Sequence, residues 1–165
     1  MGIVLTGVEP GRQSVGRLLA AAALLGLLWF FQAHPLVVEA LAPLSLATAW
    51  ATQWSLDALG LHVARAGTIL AHPGGFSYRI DPACTALAPA GLLAAMLWVL
   101  RARVIVLIGA VFLMTLLNQV RLASLMWVGV RMPADFDAVH ELVWPSLLSI
   151  IGVAFLLVWR RASSR

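Results

Sequence analysis

Polar positions divide the chain into apolar runs of helical length. Leu18–Phe31 is uninterrupted and closes on aromatics, as spans do at an interface. Leu36–Leu59 is broken by Glu39, Pro43, Gln53 and Asp57, and carries Ser45, Thr48, Thr52 and Ser55 at 3-4-3 spacing along one face. Thr85–Leu100 is apolar up to Arg101 and Arg103, Val104–Val130 is long enough to span, and Phe136–Trp159 ends in "WRRASSR". Between the second and third runs lie "HVARAGTIL", a turn signal "HPGG" and "FSYRI", which predict a small β-hairpin over 61–82. The pattern predicts spans over about 18–33, 84–100, 104–130 and 137–159.

Composition sharpens this to an all-α integral membrane protein: a bundle of four or five transmembrane helices carrying an extracytoplasmic β-hairpin, in one domain over 1–165. Of 165 residues, 62% are hydrophobic and 11% charged, far from the balance of a soluble domain. All eleven basic residues are arginine, and they are scattered, so no nucleic-acid surface is expected. A single cysteine excludes an intramolecular disulfide and any Cys-cluster metal site. His34, His62 and His72 read as loop or interface residues, and neither metal nor cofactor is implied. Residues 1–17 lack the form of a cleavable signal peptide, so the first run reads as a retained span.

Arginine placement gives an orientation. The Arg101/Arg103 loop and the Arg160/Arg161/Arg165 tail share a side, and with Arg12 and Arg17 they mark the cytoplasm. Cys84 then lies outside, in a multi-pass protein of the cytoplasmic membrane. Parity leaves two readings of Leu36–Leu59. It is either an interfacial helix with its Ser/Thr stripe toward polar groups, the reading favoured here, or an additional span with the N-terminus outside.

The chemistry sits at one depth. Counting back from Arg101 to Cys84, or forward from Val104 to Arg121, gives seventeen residues, roughly 26 Å of helix rise. From Arg160 back to His140 is twenty residues, about 30 Å. Cys84, Arg121 and His140 therefore share the outer level of a helix cluster. Each has a bland reading: an apolar filler, a snorkelling arginine, an interfacial histidine beside Asp137 and Glu141. Asn118, one turn below Arg121, makes a polar pair that must face protein or water. Together the three supply the parts of acyl transfer: a thiolate nucleophile, a proton-handling imidazole and a guanidinium for the oxyanion. If Asp81 caps a helix whose first residue is Pro82, Cys84 lies in its first turn, where the dipole favours a thiolate. If the helix starts instead at Pro89, Cys84 is in a loop.

In this order, "LGLHVARAGTILAHPGGFSYRIDPAC", "LLNQVRLASL" and "VHELVWPSLL" resemble the exosortase/archaeosortase family, over roughly residues 58–160. The family pattern joins a Gly-rich hairpin leading into Ala-Cys, an Asn-x-x-Arg step and a histidine before the last span. Here these are Ala83-Cys84, Asn118 with Arg121, and His140. After its cysteine the family usually has Ser-Gly, where this chain has Thr85-Ala86, and the span count resembles the short branch. The resemblance implies an integral-membrane cysteine peptidase or transpeptidase, bacterial or archaeal, whose site faces the periplasm or outside. Cys84 would be the nucleophile, Arg121 the oxyanion or substrate-orienting residue and His140 the acid/base, with Asn118 and Asp81 in support. The implied partner is a secreted protein with a C-terminal motif, one transmembrane helix and a basic tail. It would be cleaved before that helix and passed to an envelope acceptor, a lipid or a glycan. The alternative from another class is a catalytically silent membrane scaffold or assembly subunit.

Overall fold

The computed structural model describes residues 34–163 of the chain, with residues 16, 19, 20, 23 and 26. The span expected over 18–33 falls almost entirely outside them. The rest is an all-α membrane architecture with a small sheet at one end. Among the described residues, three helices are long and apolar enough to cross a bilayer. They are α1 (Pro35–Ala58), α3 (Val104–Arg131) and the helical stretch Pro133–Ser163, whose regular α-helix α4 is Trp144–Ser163. A shorter apolar helix, α2 (Leu87–Val99), precedes α3.

Each boundary has a local cause. Pro35 fills the first position of α1, where no amide partner is needed, and His34 Nδ1 accepts from Leu36 N at 3.4 Å. α2 starts three residues later than expected. Cys84 closes a separate 3-10 turn (Pro82–Cys84), Thr85 is extended, and Pro89 falls in the first turn of α2, where its missing N–H costs nothing. At thirteen residues α2 rises only about 20 Å, so the 3-10 turn makes up part of the remaining depth. The chain reverses between α2 and α3 through Arg101, whose φ of 59° is the left-handed conformation that usually falls to glycine, and Ala102 N closes back onto Leu97 O at 2.9 Å.

The polar stripe of α1 faces inward. Ser45, Thr48 and Thr52 are buried, and Thr48 and Ser55 return their hydroxyls to the carbonyl four residues earlier. Small side chains satisfied in this way let α1 lie against α3. The two helices run side by side in the same direction. Leu44 and Thr48 share a groove with Val111 and Thr115, Thr52 donates to Gln119 Oε1 at 2.9 Å, and Leu56 packs with Leu122 and Met126. By length and composition α1 is able to cross a bilayer, and it packs alongside α3 along its length. The stripe answers a protein neighbour, not lipid headgroups.

The hairpin is a three-stranded antiparallel meander: β1 (Ala64–Ala66), β2 (Ile69–Ala71) and β3 (Ser77–Arg79). "HVARAGTIL" itself turns at Gly67, whose φ of 62° permits the tight two-residue reversal, and the "HPGG" turn adds the third strand. Leu70 and Ile80 on its inner face are fully buried with Leu56, Leu122 and Met126. Phe76 lies so close to α3 that any Cβ at Gly129 would overlap its ring. Gln53 fastens the other side, accepting from Arg65 Nε at 3.0 Å and donating to Val63 O at 3.3 Å. A second core, of Leu93, Leu97, Met114, Leu125, Trp144 and Leu148, joins α2, α3 and α4.

Candidate active site

The chain leaves β3 at Arg79, buries Ile80 and enters the Asp81–Cys84 turn directly beneath the sheet. Cys84 N donates to Asp81 O at 2.8 Å, and Thr85 Oγ1 donates to Pro82 O at 2.7 Å while accepting from Leu87 N at 3.4 Å. Thr85 thus holds the turn from below and meets the first amide of α2. Asp81 occupies the cap position of the turn, but its side chain makes no capping bond and is exposed. Cys84 is the last residue of this short turn, not part of the first turn of a long helix. The expected activation by a helix dipole therefore has no long helix behind it.

Two residues of α3 secure the cysteine. Asn118, only 1% exposed, donates from Nδ2 to Cys84 O at 2.9 Å. Its Oδ1 accepts from Arg121 Nη1 at 3.4 Å. Their i, i+3 spacing puts both on the face of α3 turned toward the turn. Arg121 is 8% exposed, and its Nε has no hydrogen-bond partner among the described residues. A buried, permanently charged guanidinium with an unused donor is costly unless something else meets it.

Arg121 also lines one end of a groove of about 400 Å³ between α2 and α4, the end nearer the cysteine turn. Ala83, the neighbour of Cys84, forms the adjacent wall; from there the groove descends past Pro89 and Leu92 on one side and Ser149 and Gly152 on the other. Apart from Ser149, the groove is apolar except at the arginine end. An extended acyl donor could rest its carbonyl at Arg121 and its apolar continuation below.

His140 is brought to the same end of the bundle. It lies in a π-helical turn, Val139–Val143, just ahead of Pro145, which cannot donate to the carbonyl of Glu141 and so opens the ladder there. Its ring stacks on Phe136 at 5.7 Å and 12°. Phe136 in turn meets Phe76 at 5.1 Å and Tyr78 at 6.3 Å, so aromatic contact holds the histidine segment to the sheet. The charge of Arg121 is felt at His140, at Cys84 and at Tyr78. Cys84, Asn118 and Arg121 are thus joined by hydrogen bonds. His140 makes no hydrogen bond to this chain of three; ring packing on Phe136 holds it to the sheet. Asp81 contributes only its backbone carbonyl.

Sequence reasoning missed Tyr78. Its hydroxyl donates to Leu122 O at 2.9 Å, one residue beyond Arg121. Burial pushes the phenol well above its ordinary range; a charged Cys84 would push it the same way, and Arg121 opposes both. It therefore remains a neutral donor. The alternation of Phe76, Tyr78 and Ile80 in "FSYRI" carried the signal, since a period of two places all three on the inner face.

The family model described as transmembrane exosortase (Exosortase_EpsH) matches residues 2–160. No curated protein and no solved structure matches the chain. The family match takes in nearly the whole sequence, and the chain belongs to the transmembrane exosortases.

Proposed function

We propose that this member of the transmembrane exosortase family is a membrane-embedded cysteine peptidase and transpeptidase working at the outer face of the cytoplasmic membrane. Its substrate would be a secreted protein bearing a C-terminal motif, a transmembrane helix and a basic tail. The observation that carries this reading is the polar chain from Cys84 through Asn118 to the half-satisfied Arg121 at the mouth of an apolar groove.

His140 takes the thiol proton, and Cys84 Sγ attacks the carbonyl carbon of the scissile bond. The negative charge moves to the carbonyl oxygen, where Arg121 answers it with the donor that Asn118 leaves free. Collapse breaks the C–N bond, His140 returns its proton to the leaving amine, and a thioester remains on Cys84. An acceptor nucleophile, or water, then gives its proton to His140 and releases the acyl group. Asn118 positions by holding the Cys84 carbonyl, so that the turn cannot swing away from α3. The groove holds the apolar segment that follows the cut.

The test is thiol labelling in intact cells with a membrane-impermeant reagent, comparing wild type with His140→Ala and Arg121→Ala. The expected result is labelling of Cys84 from outside that slows in both variants, together with loss of processing in Cys84→Ser at unchanged insertion. Equal, slow labelling in all three inserted proteins would reduce Cys84 to a packing residue and leave the scaffold reading in its place.

A further inference from the structure

β3 is the outer strand of the meander, and one of its sides has no partner. The register fixes which residues face that side. Ile80 N donates to Thr68 O at 2.9 Å and His72 N to Phe76 O at 2.8 Å, so Phe76, Tyr78 and Ile80 direct their backbone groups toward β2. By the alternation of an antiparallel ladder, Ser77 and Arg79 direct theirs outward. Both residues are exposed, and no backbone partner meets them among the described residues. Short, charged edge strands are also how proteins prevent stray pairing. This edge differs in where it leads: two residues after Arg79 the chain enters the turn that ends in Cys84.

Resting on the reading above, we infer that the free edge of β3 is the docking site for an extended stretch of the protein substrate, the residues just before the cleaved bond. The stretch adds as a fourth strand parallel to β3. Parallel addition is the direction that works. A chain running with β3 moves from Ser77 past Arg79 toward Cys84, arrives with its scissile carbonyl at Arg121, and continues into the groove that opens at Ala83. An antiparallel chain would carry the bond away from the thiol. Recognition by backbone pairing gives affinity without demanding a particular side chain at every position.

The test uses the full chain in lipid nanodiscs and two reagents that alkylate Cys84, each losing chloride as the C–S bond forms. One is chloroacetamide; the other is acetyl-Val-Thr-Val carrying the same chloroacetamide group on a C-terminal ethylenediamine, so that both present one electrophile. The peptide reagent should modify Cys84 roughly ten- to a hundredfold faster in wild type, the range for a few backbone hydrogen bonds. Arg79→Pro removes one outward N–H, at an edge position where proline leaves the sheet's own ladder intact, and should abolish the advantage. Arg79→Ala should keep it. Because the proline variant could perturb the strand, N-methylation of each peptide residue in turn gives a second arm, with losses expected at alternate positions. The inference is overturned if the peptide reagent gains nothing over chloroacetamide in wild type, or if its gain survives Arg79→Pro and every N-methylation. In either case rapid reaction with chloroacetamide leaves the nucleophile reading standing. A Cys84 that neither reagent modifies in folded protein ends both.

Discussion

α1 and α4 flank α3 on different terms. On the α1 side the fit is close: Ala49 and Leu56 are fully buried, Thr52 donates to Gln119, and the hydroxyl stripe is turned inward. On the α4 side Trp144 and Leu148 make the contact. Below them the wall is Ser149 and Gly152, facing Ala88 and Pro89 across an open groove. Both sides converge on the same turn of α3, where Asn118 and Arg121 hold the cysteine. The close-packed side therefore reads as the frame of the site and the open side as its approach. Substitutions on the two sides should fail differently, in stability on the α1 side and in turnover on the α4 side.

The largest effect should come at the residue both sides share. Arg121→Lys keeps the charge but loses the planar set of donors that can serve Asn118 and an oxyanion together. Processing should drop by about a hundredfold or more, the scale for removing an oxyanion donor. Protein level and insertion should stay near wild type. Normal processing by this variant, followed by immunoblot of substrate maturation, would make Arg121 a structural residue and remove the chemistry from the convergence point.

Next comes the groove. Gly152→Leu places an isobutyl group where a Cβ meets nothing nearer than the Met114 methyl at 3.8 Å, so the helix itself should tolerate it. Apolar bulk in the path of the substrate should lower processing roughly tenfold, as a misplacement near 1 Å can. External labelling of Cys84 by a small reagent should be unaffected. If labelling fell as well, the substitution would have disturbed the fold, and the open side would be no freer than the closed one.

How far the sequence went can be judged at the same residues. That Cys84 and Arg121 come to one end of the bundle was legible because helix rise is fixed per residue. The Asn118–Arg121 pair was legible from i, i+3 spacing alone. The direction of α1 was not. Its Ser/Thr stripe suits either a headgroup layer or a neighbouring helix, and only the packing of Leu44, Thr52 and Leu56 against α3 decides between them. The start of α2 was left between Pro82 and Pro89, which each suit a first helical turn, and the helix begins at Leu87 with Cys84 outside it. The third strand escaped because Gly67-Thr68 was read as strand interior rather than as a two-residue turn.

A smaller effect should follow on the closed side. Thr52→Val keeps the shape and removes the hydroxyl that reaches Gln119. The expected loss is about 0.6 kcal/mol of stability, the usual worth of an interhelical hydrogen bond within a membrane. Turnover per folded molecule should not change. A variant of unchanged stability but reduced turnover would reverse the assignment of frame and approach.

The smallest and cleanest test concerns the sole tyrosine, at the boundary between sheet and bundle. Burial holds the Tyr78 phenol above its ordinary range, and its proton is engaged with Leu122 O. The sign follows from proton counts. Above about pH 10 an unfolded chain loses this proton while the folded chain keeps it, so stability declines as pH rises through that region. Below it the contribution is fully present. Ultraviolet titration of the folded protein should therefore show no phenolate absorbance at a pH where the denatured chain is largely ionised. Tyr78→Phe should remove the alkaline decline in thermal stability at a cost of about 1 kcal/mol near neutrality. Ionisation of the folded protein at the ordinary value would mean that water reaches the seam between β3 and α3. The sheet would then be a loose cover, and the edge of β3 could not hold a substrate strand in register with Cys84.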